Sequence, residues 1–207
     1  MLKCLWREEV LVPRTHKTKS QRVPALWDFL SLTAKRGLVM NQLIYNQKKI
    51  PKSKWRYGFR SSAATGCGWI AVHNALVLMG YRVYPERLIR YFTWQLPFIH
   101  GNFGTIIPGP ALYLRKRGFD VKMEVRKKKF DELGKNSDVC ILFYYWRNKW
   151  RFGAHFTTVQ YQDSKFVGYN TYSNSTGPDV YGESVTEFLK KRKYFGAVLI
   201  GIRNKSM

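Results

Sequence analysis

Residues 62–80 read Ser-Ala-Ala-Thr-Gly-Cys-Gly-Trp-Ile-Ala-Val-His-Asn-Ala-Leu-Val-Leu-Met-Gly, and no other stretch constrains the folding of this chain as tightly. A run of small residues delivers Cys67 between Gly66 and Gly68, and an apolar segment of about three helical turns starts there and stops at Gly80. This order sets a thiol at a helix N-terminus. The first N–H groups of a helix lack intrahelical acceptors and its dipole favours negative charge, so the nucleophilic thiolate is favoured there. The expectation is a cysteine nucleophile, which then needs a base and a group to orient that base.

The rest of the chain divides into a helical half and a sheet half. Residues 1–22 read as a basic arm, and residues 24–35 carry apolar side chains at helical spacing after Pro24. Residues 43–45 suggest a short strand, and 46–60 a basic loop. Helices are expected over 85–92, opened by Pro85, and over 110–118, closed by Gly118, with a glycine-bearing loop over 93–108 between them. Residues 119–126 alternate like a strand.

Residues 139–146 form a continuous apolar and aromatic run, the pattern of a strand buried on both faces. A basic turn over 147–153, a strand over 155–161, a turn over 162–165 and a strand over 166–172 follow. Ser184 and Glu187 form a capping box that starts a short helix, and 194–203 closes as a last strand. Helices first and an antiparallel meander second predict an α+β fold, N-terminal helices packed on an antiparallel sheet. The expected organisation is a basic arm and helix over 1–40 and one domain over 41–207.

Four histidines limit the choice of base. His16 lies in the arm, His100 in the glycine-bearing loop, and His73, six residues after Cys67, points to another side of the same helix. His155 starts a strand. A hairpin with its tip near 162–165 brings Asn170 opposite about residue 156, within reach of the imidazole. Nucleophile, base and orienter then come in the order Cys67, His155, Asn170. Cys67 is expected to attack a carbonyl carbon as a thiolate, its pKa lowered into the range of roughly 3.5 to 7.5 by the helix end and a protonated His155. His155 protonates the leaving amine, Asn170 fixes its ring, and the Cys67 N–H stabilises the oxyanion. Cys140, in an apolar run, reads as a buried structural thiol and Cys4 has no activating neighbours. Asn74 reads as a buried hydrogen-bonding residue, and Trp69 and Trp150 as packing.

Gly66-Cys67-Gly68-Trp69-Ile70-Ala71 with Asn74-Ala75-Leu76, then Ala154-His155-Phe156-Thr157-Thr158-Val159, then Tyr169-Asn170, resemble the papain-like cysteine peptidases of the double-glycine, bacteriocin-leader-processing branch. The resemblance spans roughly residues 40–203. It implies a papain-like fold and hydrolysis of a peptide bond, often after a small residue or Gly-Gly, in a leader or small peptide. Two departures stand out. The family places a glutamine six residues before the cysteine as oxyanion donor, and here that position is Ser61. Loss of such a donor costs on the order of 10² to 10³ in rate, so Ser61, Ser62 or another side chain must substitute for full activity. The orienter in this branch is often Asp, whereas Asn170 follows papain. The same Cys-His-Asn logic also serves transglutaminase-like acyl transfer.

Thirty-six Lys and Arg against 13 Asp and Glu leave a net charge of +23, which implies an anionic partner such as nucleic acid or a charged polymer. That partner gives a third reading, a catalytically weak peptidase-like binding protein. The 16% aromatic residues fall mostly in predicted core strands and not among the charges, unlike a nucleic-acid platform. Three scattered cysteines give neither a disulfide framework nor metal-ligand spacing, so no cofactor or metal is expected. No membrane span or signal peptide is read, which leads to the expectation of a cytoplasmic protein acting on a peptide or protein substrate.

Overall fold

The structure is a computed structural model and describes residues 42–94, 104–148 and 151–205. The expected arm, the helix over 24–35, Cys4, His16, His100 and Trp150 lie outside the described residues. A six-stranded antiparallel sheet holds the fold together: β3 (Asp120–Glu124), β4 (Val139–Asn148), β5 (Arg151–Gln162), β6 (Lys165–Tyr169), β7 (Asp179–Gly182) and β8 (Tyr194–Arg203), in the order β3-β8-β4-β5-β6-β7. A separate hairpin joins β1 (Arg56–Tyr57) to β2 (Arg60–Ser61).

Strand β4 is apolar at nearly every position because both of its faces are covered. Val139, Ile141 and Phe143 join one buried cluster, whereas Cys140, Leu142 and Tyr144 join the other. The first face packs on α2 (Cys67–Leu78), α3 (Pro85–Trp94) and α4 (Gly109–Lys116), and the second on α5 (Phe130–Lys135) and α6 (Val185–Lys191). Helix α2 is buried without a break from Gly68 to Leu76, and Thr158 Oγ1 of β5 donates to its Ala71 carbonyl at 2.9 Å. A short helix, α1 (Ser62–Thr65), leads into it. The observed fold is α+β, helices on an antiparallel sheet.

Several boundaries differ from expectation for identifiable reasons. Residues 43–45 form no strand; the Asn74 carboxamide instead takes both backbone groups of Ile44, accepting its N–H and donating to its carbonyl, each at 2.9 Å. Asn74 is thus the buried hydrogen-bonding residue its position suggested. The basic loop over 46–60 contains a 3-10 turn, Gln47–Lys49, and the β1–β2 hairpin. The basic turn expected over 147–153 is shorter, because β4 runs on to Asn148 and β5 begins at Arg151. Helix α5, the Lys127–Lys129 turn before it and strand β7 carry no strong apolar period and were not expected. Among the described residues no helix is long and apolar enough to cross a membrane.

Candidate active site

Cys67 opens α2, with Gly66 as the N-terminal cap residue. Its N–H, that of Gly68 and that of Phe156 on β5 all face the sulfur. The helix start can approach this closely because Gly68 has no side chain: a Cβ there would lie 2.2 Å from Thr105 Oγ1. Phe156 N–H is free for the thiol because β6 pairs with β5 only from Thr158 onward, leaving the earlier β5 edge open. His155, the residue before Phe156, stands at this open edge.

Asn170 ends β6 in a left-handed conformation, φ 63°, which asparagine tolerates better than most residues. That turn aims its backbone carbonyl at the imidazole, and His155 Nε2 donates to Asn170 O at 2.6 Å. A carbonyl only accepts, so Nε2 carries the ring proton and Nδ1 is the free base. Asn170 thus lies next to His155, but the contact runs through its backbone carbonyl and not, as expected, through its side chain. The hairpin register explains the difference. The ladder pairs Thr158 with Tyr169, so its continuation sets 170 beside 157 and not the expected 156, and a one-residue slip turns a side chain to the other face. The Asn170 carboxamide points instead to Gln47, accepting its N–H at 2.8 Å and donating to its Oε1 at 3.3 Å, while Gln47 Nε2 donates to Ala63 O at 3.3 Å. Gln47 thereby ties the helix entry to the strand that holds His155.

The electrostatics depart from the expected ion pair. Cys67 and His155 each keep some exposure, but the surrounding protein pushes the Cys67 thiol above its ordinary value despite the three N–H groups and the nearby Lys48 charge. The same crowding holds the His155 imidazole below its ordinary value, although its bond to Asn170 O works the other way. Burial disfavours the charged form of each group, the opposite of what a thiolate–imidazolium pair requires.

Ser61, the candidate oxyanion donor, is half-buried at the end of β2 and caps α1 without a side-chain hydrogen bond to it. Ser62 is fully engaged, donating to Trp55 O and accepting Trp69 Nε1 at 3.1 Å. Tyr57, from the same hairpin, places a buried hydroxyl within electrostatic reach of Cys67 and in hydrogen-bond contact with Thr105 Oγ1 at 2.8 Å. Burial pushes that phenol up to about 12, so it stays a protonated donor. No sequence signal single-handedly marks Tyr57 or Gln47; they reach the site only through the folding of the 46–60 segment.

Two other candidates are structural. His73 is buried, its Nε2 donating to Gln42 O at 2.9 Å, and burial lowers its pKa to about 4. Cys140 is buried, its thiol pushed up to about 12. No group of three or more His, Cys, Asp or Glu side chains suited to a metal occurs among the described residues.

No protein-family model and no curated protein matches the chain. Among solved structures, it is similar to the peptidase domain of Streptococcus ComA, a bi-functional ABC transporter involved in a quorum-sensing pathway. That similarity has a TM-score of 0.47 and 13% sequence identity, over 69% of this chain and 93% of that one.

Proposed function

We propose that this chain is a cysteine-type peptidase of papain-like architecture, with Cys67 as nucleophile, His155 as base and acid, and Asn170 as the group that positions His155. What supports this reading is that a helix-start thiol and an imidazole with a fixed tautomer adjoin neighbouring residues of β5, Phe156 and His155. The Phe156 N–H facing Cys67 Sγ and the His155 Nε2 bond to Asn170 O belong to one strand edge.

In this account the Cys67 S–H proton passes to His155 Nδ1 as sulfur attacks the peptide carbonyl carbon. The carbonyl oxygen becomes an oxyanion, held by the Cys67 N–H and the Tyr57 hydroxyl or Ser61. The C–N bond then breaks, and the proton on Nδ1 goes to the departing amine, leaving a thioester. Water attacks that thioester, gives a proton to Nδ1, and the acid product leaves as the proton returns to sulfur. Burial disfavours both charged forms, which suits an order in which the proton moves to Nδ1 together with sulfur attack and not before it.

A second reading, a weakly active peptidase-like protein that binds an anionic partner, draws on the +23 charge and the raised thiol pKa. The test is a mixed peptide library digested by the native chain, Cys67→Ala and His155→Ala. Cleavage by the native chain alone supports the peptidase. No cleavage, with a salt-sensitive shift of nucleic acid that persists in Cys67→Ala, supports the binding reading.

A further inference from the structure

His155 has a second neighbour besides Asn170. Its cross-strand partner on β4, Tyr144, meets the imidazole edge-on with ring centroids 6.2 Å apart. Tyr144 is fully buried; Arg192 is the donor facing its phenol oxygen, and its own O–H finds no acceptor. Burial raises the phenol's pKa, so this hydroxyl is a donor.

Arg192 caps the C-terminal end of α6, where a cation complements the helix dipole. Its guanidinium lies 4.9 Å over the ring of Tyr172, two residues beyond Asn170, and its Nε is buried without a partner. Phe188, one turn earlier on α6, packs edge-on against Tyr144 at 6.0 Å, which holds the helix end beside the phenol. The Arg192 charge acts on both Tyr144 and His155.

The Tyr144 O–H and the Arg192 Nε–H, one of them cationic, thus stay without an acceptor near the candidate base, even where the guanidinium faces the phenol oxygen. Native structures rarely leave such groups unmade, and an exception asks for an explanation. A neutral water answers the hydrogen bonds but not the charge. A carboxylate answers both, because guanidinium and carboxylate match in charge and in planar geometry. The overall excess of basic residues agrees in sign.

We propose that Arg192 and Tyr144 form a carboxylate-binding subsite beside His155, so that the substrate presents an acidic group next to the bond at Cys67. This rests on the peptidase reading of Cys67 and His155. The carboxylate is either an acidic side chain or a chain terminus.

Iodoacetate and iodoacetamide alkylate a thiolate by the same displacement of iodide and differ in carrying a carboxylate or a carboxamide. The readout is the ratio of their rates at Cys67, resolved by mass spectrometry and referred to glutathione. The native ratio is expected about tenfold above that of glutathione, the gain of one charge-assisted contact. Arg192→Gln and the shape-preserving Tyr144→Phe bring it toward the glutathione value, whereas Lys128→Gln, on an exposed turn, leaves it unchanged. Protection of Cys67 from iodoacetamide by acetyl-glutamate amide assigns the subsite to an acidic side chain, and protection by acetyl-glycylglycine to a chain terminus. A ratio equal in the native chain and in both variants, with Cys67 still alkylated, overturns the subsite and leaves the peptidase reading standing. Inertness of Cys67 to both reagents overturns both.

Discussion

Replacing Asn170 separates two ways of orienting His155. Its carboxamide makes two hydrogen bonds to Gln47, while its backbone carbonyl holds the imidazole. Asn170→Gly removes both side-chain bonds, about 0.5–1.5 kcal/mol each, and leaves the buried Gln47 N–H unpaired, about 1–3 kcal/mol, so with overlap the loss is about 2–4 kcal/mol. Asn170→Ala adds the left-handed penalty of about 1–2 kcal/mol that glycine escapes, which glycine's extra unfolded-state entropy of about 0.5–1 kcal/mol partly offsets. Urea unfolding should therefore rank native above Gly above Ala. The carbonyl survives both substitutions, so under folding conditions the rate of Cys67 alkylation by iodoacetamide should stay within about threefold of native for Asn170→Gly, well below one factor of ten per 1.4 kcal/mol. The reasoning fails if Asn170→Gly keeps native stability yet loses on the order of 10²-fold in rate, the scale of a misplaced general base. That result would give the side chain the orienting role.

Three further outcomes follow from the packing around the thiol. Gly68→Ala should destabilise by about 1–3 kcal/mol and slow Cys67 alkylation, and Thr105→Gly in the same chain should restore much of both, because the nearest clashing atoms belong to the Thr105 side chain; no rescue would place the cause elsewhere. Tyr57→Phe should lower peptide turnover on the order of 10-fold or more while Ser61→Ala changes it little; the reverse order would return the oxyanion role to Ser61. His73 titrates near 4 in the folded chain against 6.5 unfolded, so its contribution of about 3 kcal/mol is present above pH 6.5 and lost as pH falls toward 4. Urea unfolding at pH 7.5 and 4.5 should show that drop, reduced in His73→Leu, and a flat profile in the native chain would contradict it.

The helix starting at Cys67, the central strand from Val139 and the closing strand were legible because each carries a long run with one clear period or continuous apolarity. The Ser184 capping box was legible for a local reason, and Ser184 Oγ does accept Glu187 N–H at 3.3 Å. What escaped depends on distant contacts. Ile44 looks like a strand residue but finds its partner in the Asn74 side chain, 30 residues away. Asn170 was placed from a turn position uncertain by one residue, which decides whether its carboxamide or its carbonyl reaches His155. The expected depression of the Cys67 pKa weighed the helix end and a protonated His155, whereas burial of the thiol adds a larger desolvation in the opposite direction. Gln47, Tyr57, Tyr144 and Arg192 have no local signature at all, since each reaches the neighbourhood of Cys67 or His155 only through contacts distant in sequence.

The account stands or falls on whether His155 activates Cys67. The direct measurement is site-resolved alkylation by iodoacetamide across pH 5 to 10 in the native chain and in His155→Ala. Reaction at Cys67 over Cys140, rising as pH increases without an acidic plateau, and slowed by about tenfold or more in His155→Ala, is the predicted result. Equal labelling of Cys67 and Cys140, or a Cys67 rate indifferent to His155→Ala, would contradict it.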